Sequence, residues 1–362
     1  VACLVGSEMC IRDRILSIMK KNKKINIVGL SQKLGLSVSS VSRALNGYDN
    51  ISQKTKDKIF KTAKKYNYFP DLNAKRLASK KTDTIAFISS IDPDAPDHVV
   101  LQFLAGITLG IKNTNTELIT KFCLNEDEEM NYFKKLISTG QADKFIFYKI
   151  KKNDERVHFL NQRGIKFVTW GRTNKQTEHA WIDLDNKKSI ELLMDKLSNN
   201  GHKRIAFINV HRSFNYGAQR KAAYESSIKN LQLQYSNEYY QDSLIETVES
   251  GSAITKYLLS LKKPPTAIIC SHLRFFTGCL LKCQDMKLEI GKDISVVGFN
   301  DQDSYLSSQN LTYISHPLME MGKQSVKILQ NLEQDISIKK VSTLIEPILN
   351  EGTSHKIKKT KL

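Results

Sequence analysis

Short apolar runs alternate with amphipathic segments from residue 84 to residue 299, and this alternation leaves few folds open to the chain. The runs at 84–88, 166–170 and 295–299 are rich in β-branched and aromatic residues, as buried strands are. Strands that alternate with helices form parallel sheets with helices on both faces. The sequence therefore predicts a doubly wound α/β body.

The alternation runs through two similar halves. In the first half we predict strands at 84–88, 118–123, 145–147 and 166–170, and helices at 100–112, 130–138 and 156–162. In the second half we predict helices at 185–199, at 219–230 and through Gly278, and strands at 204–208, 267–270 and 295–299. Two such lobes enclose a cleft, and open parallel sheets bind ligands beyond the carboxyl ends of their strands.

The segment that precedes this body is strongly basic. Residues 20–82 hold 16 Lys or Arg and 3 Asp or Glu, which gives +13 of the chain's net charge of +18. A basic segment attached to a nearly balanced body indicates contact with phosphates rather than general solubility. At 362 residues the chain is also long enough for more than one domain.

Within the basic segment, two short helical patterns meet at a corner. The first ends at Gly35, which permits a sharp turn. In the second, at residues 36–46, Val41 and Leu45 point inward. The opposite face is small, polar and cationic, so it can enter a major groove and contact a guanine through Arg43. Serine-rich helices also occur in proteins that never bind nucleic acid, but the surrounding charge favours the DNA-binding interpretation.

A third helix is predicted to begin at Ser52, a good N-cap residue. Ile59, Ala63 and Tyr66 recur at helical spacing and would pack against the first two helices. The outer face is rich in lysine. Because such a charge run is usually a solvated face, we assign it only a diffuse attraction to phosphate.

Together these motifs resemble the LacI/GalR (lac-repressor) family of bacterial transcription regulators. Residues 25–82 resemble the family's DNA-binding headpiece, and residues 83–355 resemble its periplasmic-binding-protein-like effector domain. The headpiece motifs are VSRALNG at 41–47, YFP at 68–70 and NAKRL at 73–77. The body carries GHKRIAFI at 201–208, DISVVGFND at 293–301, HP at 316–317 with Met321 and Gly322, and EGTS at 351–354.

The resemblance implies an N-terminal all-α helix-turn-helix headpiece with a hinge helix, followed by a two-lobed α/β domain with parallel doubly wound sheets. The expected headpiece spans 19–69, the hinge helix and linker 70–82, and the effector-binding and dimerisation domain 83–355. The first lobe would comprise about 83–183 and 313–340, and the second about 184–312 and 341–355. We interpret residues 1–18 as a non-native or unstructured leader before a start at Met19, and 356–362 as a basic tail.

The resemblance also identifies candidate DNA contacts. In the family, two hinge helices pair in the minor groove, and each inserts a leucine between base steps, as Leu77 would here. The alternative is that Leu77 is a linker residue resting on the larger domain. Lys75 stands where the family usually has arginine. The candidates are Ser37, Val38, Ser39, Ser42, Arg43 and Asn46 on the recognition helix, and Asn73, Ala74, Lys75 and Leu77 in the hinge.

Four residues are the candidate effector contacts. Arg220 resembles the family arginine that forks onto ligand hydroxyls or a carboxylate, although an arginine here can also form a surface salt bridge. Asn300 stands where the family commonly has a ligand-binding aspartate, and an amide keeps the hydrogen bonding without the charge. His272 either donates to the ligand or fills space. Trp170 either stacks on a ring of the ligand or belongs to the core.

The function implied by the resemblance is a transcription repressor that binds a palindromic operator as a homodimer. A small-molecule effector, a sugar or related metabolite, would bind between the lobes and control operator affinity. The alternative is a solute-binding protein without a regulatory role, which would need export and would not carry a basic headpiece. An enzyme would need a nucleophile–base pair or a phosphate-cradling glycine loop, and the sequence has neither.

Cysteine spacing and hydropathy add further expectations. The six cysteines lack the spacing of metal ligands or of a disulfide framework, so we expect reduced, structural thiols and neither a metal nor a cofactor. No apolar run approaches membrane-spanning length, and we expect a cytoplasmic protein with no membrane partner. Because the basic tail lacks leucine heptads, we expect dimers and no coiled-coil tetramer.

Overall fold

A computed structural model of the chain describes residues 25–45, 48, 50–68, 82–90, 99–174, 178–300 and 310–356. The chain divides into two compact units, residues 1–81 and 82–362. The predicted leader, the predicted hinge helix and most of the basic tail lie outside the described residues.

The described part of the smaller unit contains the helices α1 (Ile27–Leu34), α2 (Val38–Leu45) and α3 (Gln53–Lys65). Leu30, Val41, Ala44 and Ile59 are completely buried and form its core. Gly35 ends α1 in the left-handed region, with φ at +67°, which a residue without a Cβ adopts freely. The predicted corner between the first two helices is therefore present.

Of two sequence predictions for the third helix, one is confirmed and one is wrong. Ser52 is its N-cap, and its Oγ accepts a hydrogen bond from the Thr55 N–H at 3.4 Å. Tyr66 was predicted to pack inward, which is wrong. It lies just beyond α3 with 38% of its surface exposed, and the Lys33 ammonium lies 4.9 Å from its ring centre. Since a tyrosine carries a polar tip, it tolerates a place at the edge of such a small core.

The larger unit contains the α/β body. Its elements through residue 184 are β1 (Thr84–Ser90), α4 (Val99–Ile111), β2 (Glu117–Cys123), α5 (Glu126–Ser138), β3 (Lys144–Phe147), α6 (Glu155–Asn161), β4 (Lys166–Trp170) and β5 (Ala180–Leu184). The next group is α7 (Asn186–Asn199), β6 (Ile205–Val210), α8 (Asn215–Asn230), β7 (Tyr240–Ser243), α9 (Val248–Leu259), β8 (Ala267–Cys270), α10 (Leu273–Asp285) and β9 (Ser295–Phe299). The last group is β10 (Thr312–Ser315), α11 (Leu318–Glu333), α12 (Ile338–Val341), β11 (Thr343–Ile345) and β12 (Ile348–Asn350).

These strands form two six-stranded sheets, one in each lobe. The first has the order β11-β5-β4-β3-β1-β2, and all of its pairs are parallel. The second has the order β12-β10-β9-β8-β6-β7, and β12 alone among the described strands runs antiparallel to its neighbour. Apolar clusters cover both faces of each sheet. The predicted doubly wound α/β fold is confirmed.

The lobe boundaries differ from the predicted ones near the end of the chain. The strand β10 was divided at residue 312/313, but all of it pairs with β9 in the second sheet. The strand β11 was assigned to the second lobe, but it pairs with β5 in the first sheet. The returning segment of the first lobe therefore extends from about residue 316 to 345. Pairing partners decide this division, and the residue pattern near a crossing does not reveal them.

The four described cysteines are Cys123, Cys270, Cys279 and Cys283, and all are buried and free. Burial raises the pKa of Cys123 to about 11, so its thiol stays protonated and unreactive. Cys279 and Cys283 belong to an apolar cluster beneath the second sheet, as expected for structural thiols. None of the described helices combines the length and apolar character needed to cross a bilayer.

Candidate nucleic-acid interface and ligand cleft

The outer face of α2 presents the predicted DNA-reading residues. Val38, Ser39 and Arg43 are exposed, and Ser42 is half-buried. Ser37 precedes the helix, and its Oγ accepts a hydrogen bond from the Ser40 N–H at 3.1 Å. This bond caps the helix start, so Ser37 has a structural role whatever else it contacts.

Arg43 is the cation on this face of α2, in the last turn of the helix. Its exposed guanidinium can pair with two acceptors on a guanine, and small neighbours such as Ser39 leave room for a groove to approach. The other predicted contacts, Asn46, Asn73, Ala74, Lys75 and Leu77, lie outside the described residues.

In the larger unit, a cleft opens where strands of both lobes end. Its empty space is about 880 Å³, including the part open to solvent. All four candidate effector contacts, Trp170, Arg220, His272 and Asn300, line it. Each follows or ends a strand or lies near the start of a helix, which is where doubly wound sheets place ligand contacts.

Arg220 is the most constrained of these side chains, with 5% of its surface exposed. Its Nε donates to Asn186 Oδ1 at 2.8 Å, and its Nη1 donates to the Ser271 carbonyl oxygen at 2.8 Å. The guanidinium lies 3.9 Å from the ring centre of Phe299. Burial lowers the pKa of Arg220 to about 10, which still leaves it charged at neutral pH. Among the described residues Nη2 has no hydrogen-bond acceptor, so this nitrogen is available to a ligand.

Asn300 and His272 follow β9 and β8. Asn300 is buried, and its backbone N–H donates to Ile314 O at 3.1 Å, which holds the residue at the strand end. His272 is the N-cap of α10, and its Nδ1 accepts a hydrogen bond from the Arg274 N–H at 3.3 Å. The two alternatives considered for His272, donor or space filler, omitted this capping role.

Trp170 lies both in the cleft and against the core, which were the two alternatives given for it. It lines the cleft at the end of β4, and its ring also packs on the core of the first lobe. The ring stacks on Phe103 at 4.8 Å and on Tyr148 at 5.3 Å between centroids. Because these contacts fix the ring, it offers a ligand a rigid apolar wall.

Two comparisons of sequence bear on this arrangement. A family model described as bacterial regulatory proteins, lacI family, matches residues 32–71, and one described as periplasmic binding protein-like domain matches residues 194–355. The HTH-type transcriptional regulator AglR of Rhizobium meliloti is 27% identical over 290 residues, which are 80% of this chain and 81% of AglR. The repressor CytR of Escherichia coli K12 is 24% identical over 329 residues, 90% and 95% of the two chains.

This chain belongs to the LacI family. It is a DNA-binding transcription regulator with an effector-binding domain, as its relatives are, and those relatives are not enzymes.

Solved structures agree with the fold of this LacI-family regulator. A regulatory protein of the LacI family from Chloroflexus aggregans has a TM-score of 0.68 at 25% identity, covering 75% of this chain and 98% of its own. The lac repressor dimer bound to operator and the anti-inducer ONPF has a TM-score of 0.78 at 20% identity, covering 92% and 100%.

Sequence reasoning missed a polar network at the end of β5. Asp183 accepts a hydrogen bond from Arg172 Nε at 2.9 Å, and Asn186, which holds Arg220, donates to Gln219 Oε1 at 3.2 Å. Burial raises the pKa of Asp183 to about 6, although Arg172 and Arg220 favour its charged form. The signal was the position of Asp183 at a strand end, but β5 itself had not been predicted.

Glu246 was also missed, and it joins the two lobes across the cleft. Its Oε2 lies 3.3 Å from Lys149 Nζ in the first lobe and 4.0 Å from His272 Nε2 in the second. Burial raises the pKa of Glu246, but the charges of His272 and Lys149 outweigh it, and the pKa lies below its usual range. Nothing in the sequence marks this loop residue as a cleft residue.

Main-chain bonds join the lobes beside this ion pair. The Asn215 N–H donates to Ile150 O at 2.9 Å, and the Lys152 N–H donates to Ser213 O at 3.4 Å. Asn215 Nδ2 also donates to Arg172 O at 2.7 Å. The lobes are therefore in contact at this edge of the cleft. Within the described part of the chain, no group of three or more His, Cys, Asp or Glu is arranged to hold a metal ion.

Proposed function

We propose that this regulator represses transcription from a palindromic operator as a homodimer, and that a carbohydrate effector in the cleft controls its operator affinity. The observation that carries the effector site is Arg220, a buried cation with one nitrogen available to a ligand. Keeping a guanidinium buried is costly, and a ligand that supplies an acceptor offsets part of that cost.

The chemistry of the cleft supports a carbohydrate. Sugars present many hydroxyls around a ring with apolar faces, and the cleft combines charged hydrogen-bonding groups with the rigid Trp170 wall. The related structure of the transcriptional regulator CelR is a complex with cellobiose.

The exposed face of α2 supports operator binding, with Arg43 reading a base and Val38 and Ser39 contributing to the half-site. In this proposal Ser37, Ser42 and Asn46 contact the operator at the same helix, and Asn73, Ala74, Lys75 and Leu77 contact it from the hinge. The lac repressor dimer, which shares the fold, is bound to its operator. Two copies of a headpiece related by a twofold axis require a palindromic site. Because a chromosomal operator is reached from the cytoplasm, we propose that location for the protein.

Selection from randomised duplex DNA with the full chain tests the proposal. We expect an enriched palindromic sequence, and we expect a sugar that raises the unfolding temperature to change affinity for that sequence. The screen would contain sugars, sugar phosphates and nucleosides. Failure to enrich any sequence would contradict operator recognition. A nucleoside that binds in place of every sugar would contradict the carbohydrate assignment.

A further inference from the structure

The chain enters the larger unit at a charged cluster around the buried Lys144, which we call the junction cluster and which also contains Asp83, Asp143 and Glu333. Lys144 Nζ lies 3.0 Å from Asp83 Oδ1 and 2.9 Å from Glu333 Oε1, and its side chain is 6% exposed. Asp143 accepts the N–H groups of Asp83 and Thr84 at 3.1 and 3.0 Å. The cluster fixes the first backbone groups after the predicted linker.

The backbone at this point is held in an unusual conformation. Asp83 has φ at +49°, a left-handed conformation that is uncommon for a residue with a Cβ. Thr116 Oγ1 donates to Asp83 Oδ1 at 2.9 Å, and the Glu117 N–H donates to Asp83 O at 3.0 Å. Such a conformation persists where surrounding contacts determine it, so it is sensitive to the loss of one of them.

Glu333 brings the far end of α11 to this cluster. The helix begins at Leu318, which lines the cleft, and ends at Glu333. Sixteen residues of α-helix span about 24 Å. One helix therefore extends from the cleft to the residues that directly follow the predicted linker.

The helices α11 and α4 pack backbone to backbone. A Cβ on Gly106 would overlap the carbonyl oxygen of Met319, and a Cβ on Gly322 would overlap that of Phe103, so the two backbones touch directly. The helix α4 also begins at the cleft, since Val99 lines it. Closely packed helices shift as a pair, because an interior this dense does not deform smoothly.

We infer that α11 couples the cleft to the linker: a change at Leu318 shifts the helix, and Glu333 passes the shift through Lys144 to Asp83. This makes Glu333 and Lys144 positioning residues for the linker, which is the covalent route to the helix-turn-helix unit. The inference rests on the proposed function, because it describes how the proposed effector site acts. The raised pKa of Lys144 agrees with it: burial lowers that pKa, but hydrogen bonds to Glu333 and Asp83 raise it more.

A double-mutant cycle on the full chain tests the coupling without a ligand. Leu318→Ala perturbs the cleft end, and Glu333→Gln removes the charge at the junction end while keeping the shape of the side chain. The readout is hydrogen exchange at the Asp83 and Thr84 amides. We expect Leu318→Ala to accelerate their exchange about threefold to tenfold, and to have little effect once Glu333 is Gln.

Asp335→Asn is the matched control, since Asp335 lies two residues beyond Glu333 and pairs with the exposed Lys166 at 3.2 Å. In that background the effect of Leu318→Ala should remain. Exchange at Ile269 in the second sheet monitors global opening and should not change. If Leu318→Ala does not fold, Leu318→Val leaves a smaller cavity for the same cycle. Equal effects of the Leu318 change with and without Glu333, or no effect in either, would overturn the coupling.

Measuring operator affinity in the same variants distinguishes a failure of this inference from a failure of the proposed function. If exchange shows the coupling while affinity for the selected DNA stays constant, the coupling stands and the proposed control of operator binding fails. If Leu318→Ala alters operator affinity equally with and without Glu333, the cleft controls the operator by another route and this inference fails.

Discussion

At the scale of single residues, two of the candidate contact residues are arginines with opposite surroundings. Arg43 is exposed on α2. Arg220 is buried, and Asn186 and Ser271 hold two of its nitrogens. An exposed guanidinium adapts to a large partner, whereas a fixed and buried one selects a small partner by geometry.

We predict that Arg43→Ala weakens binding to the selected operator by about 1–3 kcal/mol and relaxes the sequence preference at one base pair, because a bidentate contact to guanine is lost. Titration of operator and of random DNA by mobility shift measures both effects. Lys54→Ala, on the exposed face of α3, is the control and should weaken both DNAs alike. If Arg43→Ala weakens binding to operator and to random DNA equally, Arg43 does not read a base.

We predict that Arg220→Ala strongly weakens effector binding while leaving a folded protein that still binds operator. Each hydrogen bond to a charged group contributes about 1.5–3 kcal/mol, so affinity should fall at least about tenfold. Calorimetry with the sugar found by screening measures the loss, and Lys221→Ala, whose Nζ pairs with Glu225 at 2.7 Å, is the control. Retention of wild-type affinity would exclude Arg220 from the site, and an unfolded variant would make its role structural.

The residues of the cleft were predictable in part. Arg220, Asn300, His272 and Trp170 lie at strand ends or near helix starts that the residue pattern already indicated, and the structure brings all four into one cleft. Glu246 follows β7, an edge strand with no fully buried residue, so its pattern carried no apolar signal. Whether each contacts an effector stays a prediction.

At the scale of elements, local capping chemistry decides where functional helices begin. Ser37 caps α2 and His272 caps α10, whereas the sequence prediction gave Ser37 only as a DNA contact and His272 only as a ligand donor or a space filler. A residue next to a helix start satisfies an otherwise unpaired N–H, and this role leaves the same sequence signal as ligand binding. Sequence reasoning therefore located these residues without separating their roles.

We predict that His272→Ala lowers the free energy of unfolding by about 0.5–2 kcal/mol, because α10 loses its cap, and that His272→Asn restores most of it. Urea unfolding at neutral pH measures both variants. Equal stability of the Ala and Asn variants would show that the His272 cap does not stabilise α10.

The predicted hinge helix lies outside the described residues, so the role of Leu77 stays a prediction. If Leu77 inserts between base steps, Leu77→Ala should reduce DNA bending together with operator affinity. A circular-permutation gel assay with the selected operator measures the bend, and Leu77→Met, which keeps an apolar wedge, is the control. An unchanged bend angle in the Ala variant would assign Leu77 to packing.

At the scale of the whole molecule, alternation of strands and helices was enough to predict two doubly wound lobes, because parallel strands must be covered on both faces. It was not enough to place β10 and β11, which lie on either side of a crossing between the lobes. Local composition describes a strand, whereas its partner is chosen by contacts distant in sequence. Composition therefore does not determine where the chain passes from one lobe to the other.

Buried histidines make the stability of the α/β unit depend on pH. His202 bonds Thr266 Oγ1 at 3.0 Å and Ser295 Oγ at 2.9 Å, and burial lowers the pKa of His202 and of His179 to about 4. Protons therefore bind the unfolded chain more readily than the folded one between pH 6.5 and 4. The stability that each histidine contributes is complete above pH 6.5 and is lost as the pH falls through this range.

We predict that lowering the pH from 7.5 to 5 reduces the free energy of unfolding less in His202→Asn than in the wild type, by about 2 kcal/mol. The asparagine keeps hydrogen bonding but does not titrate. Urea unfolding at the two pH values measures the difference. The raised pKa of Asp183 acts in the opposite direction between about pH 6 and 4, and it is common to both proteins. Identical pH dependence in the two proteins would show that His202 does not titrate in this way.

The wall formed by Trp170 also gives the protein an intrinsic optical signal. The chain contains two tryptophans: Trp170 lines the cleft, and the ring of Trp181 lies 5.0 Å from the guanidinium of Arg172, the partner of Asp183. Indole emission responds to nearby charge and to exclusion of water, and both change when a cleft fills. Fluorescence of the unlabelled protein should therefore report occupancy directly, without a label that could disturb the cleft.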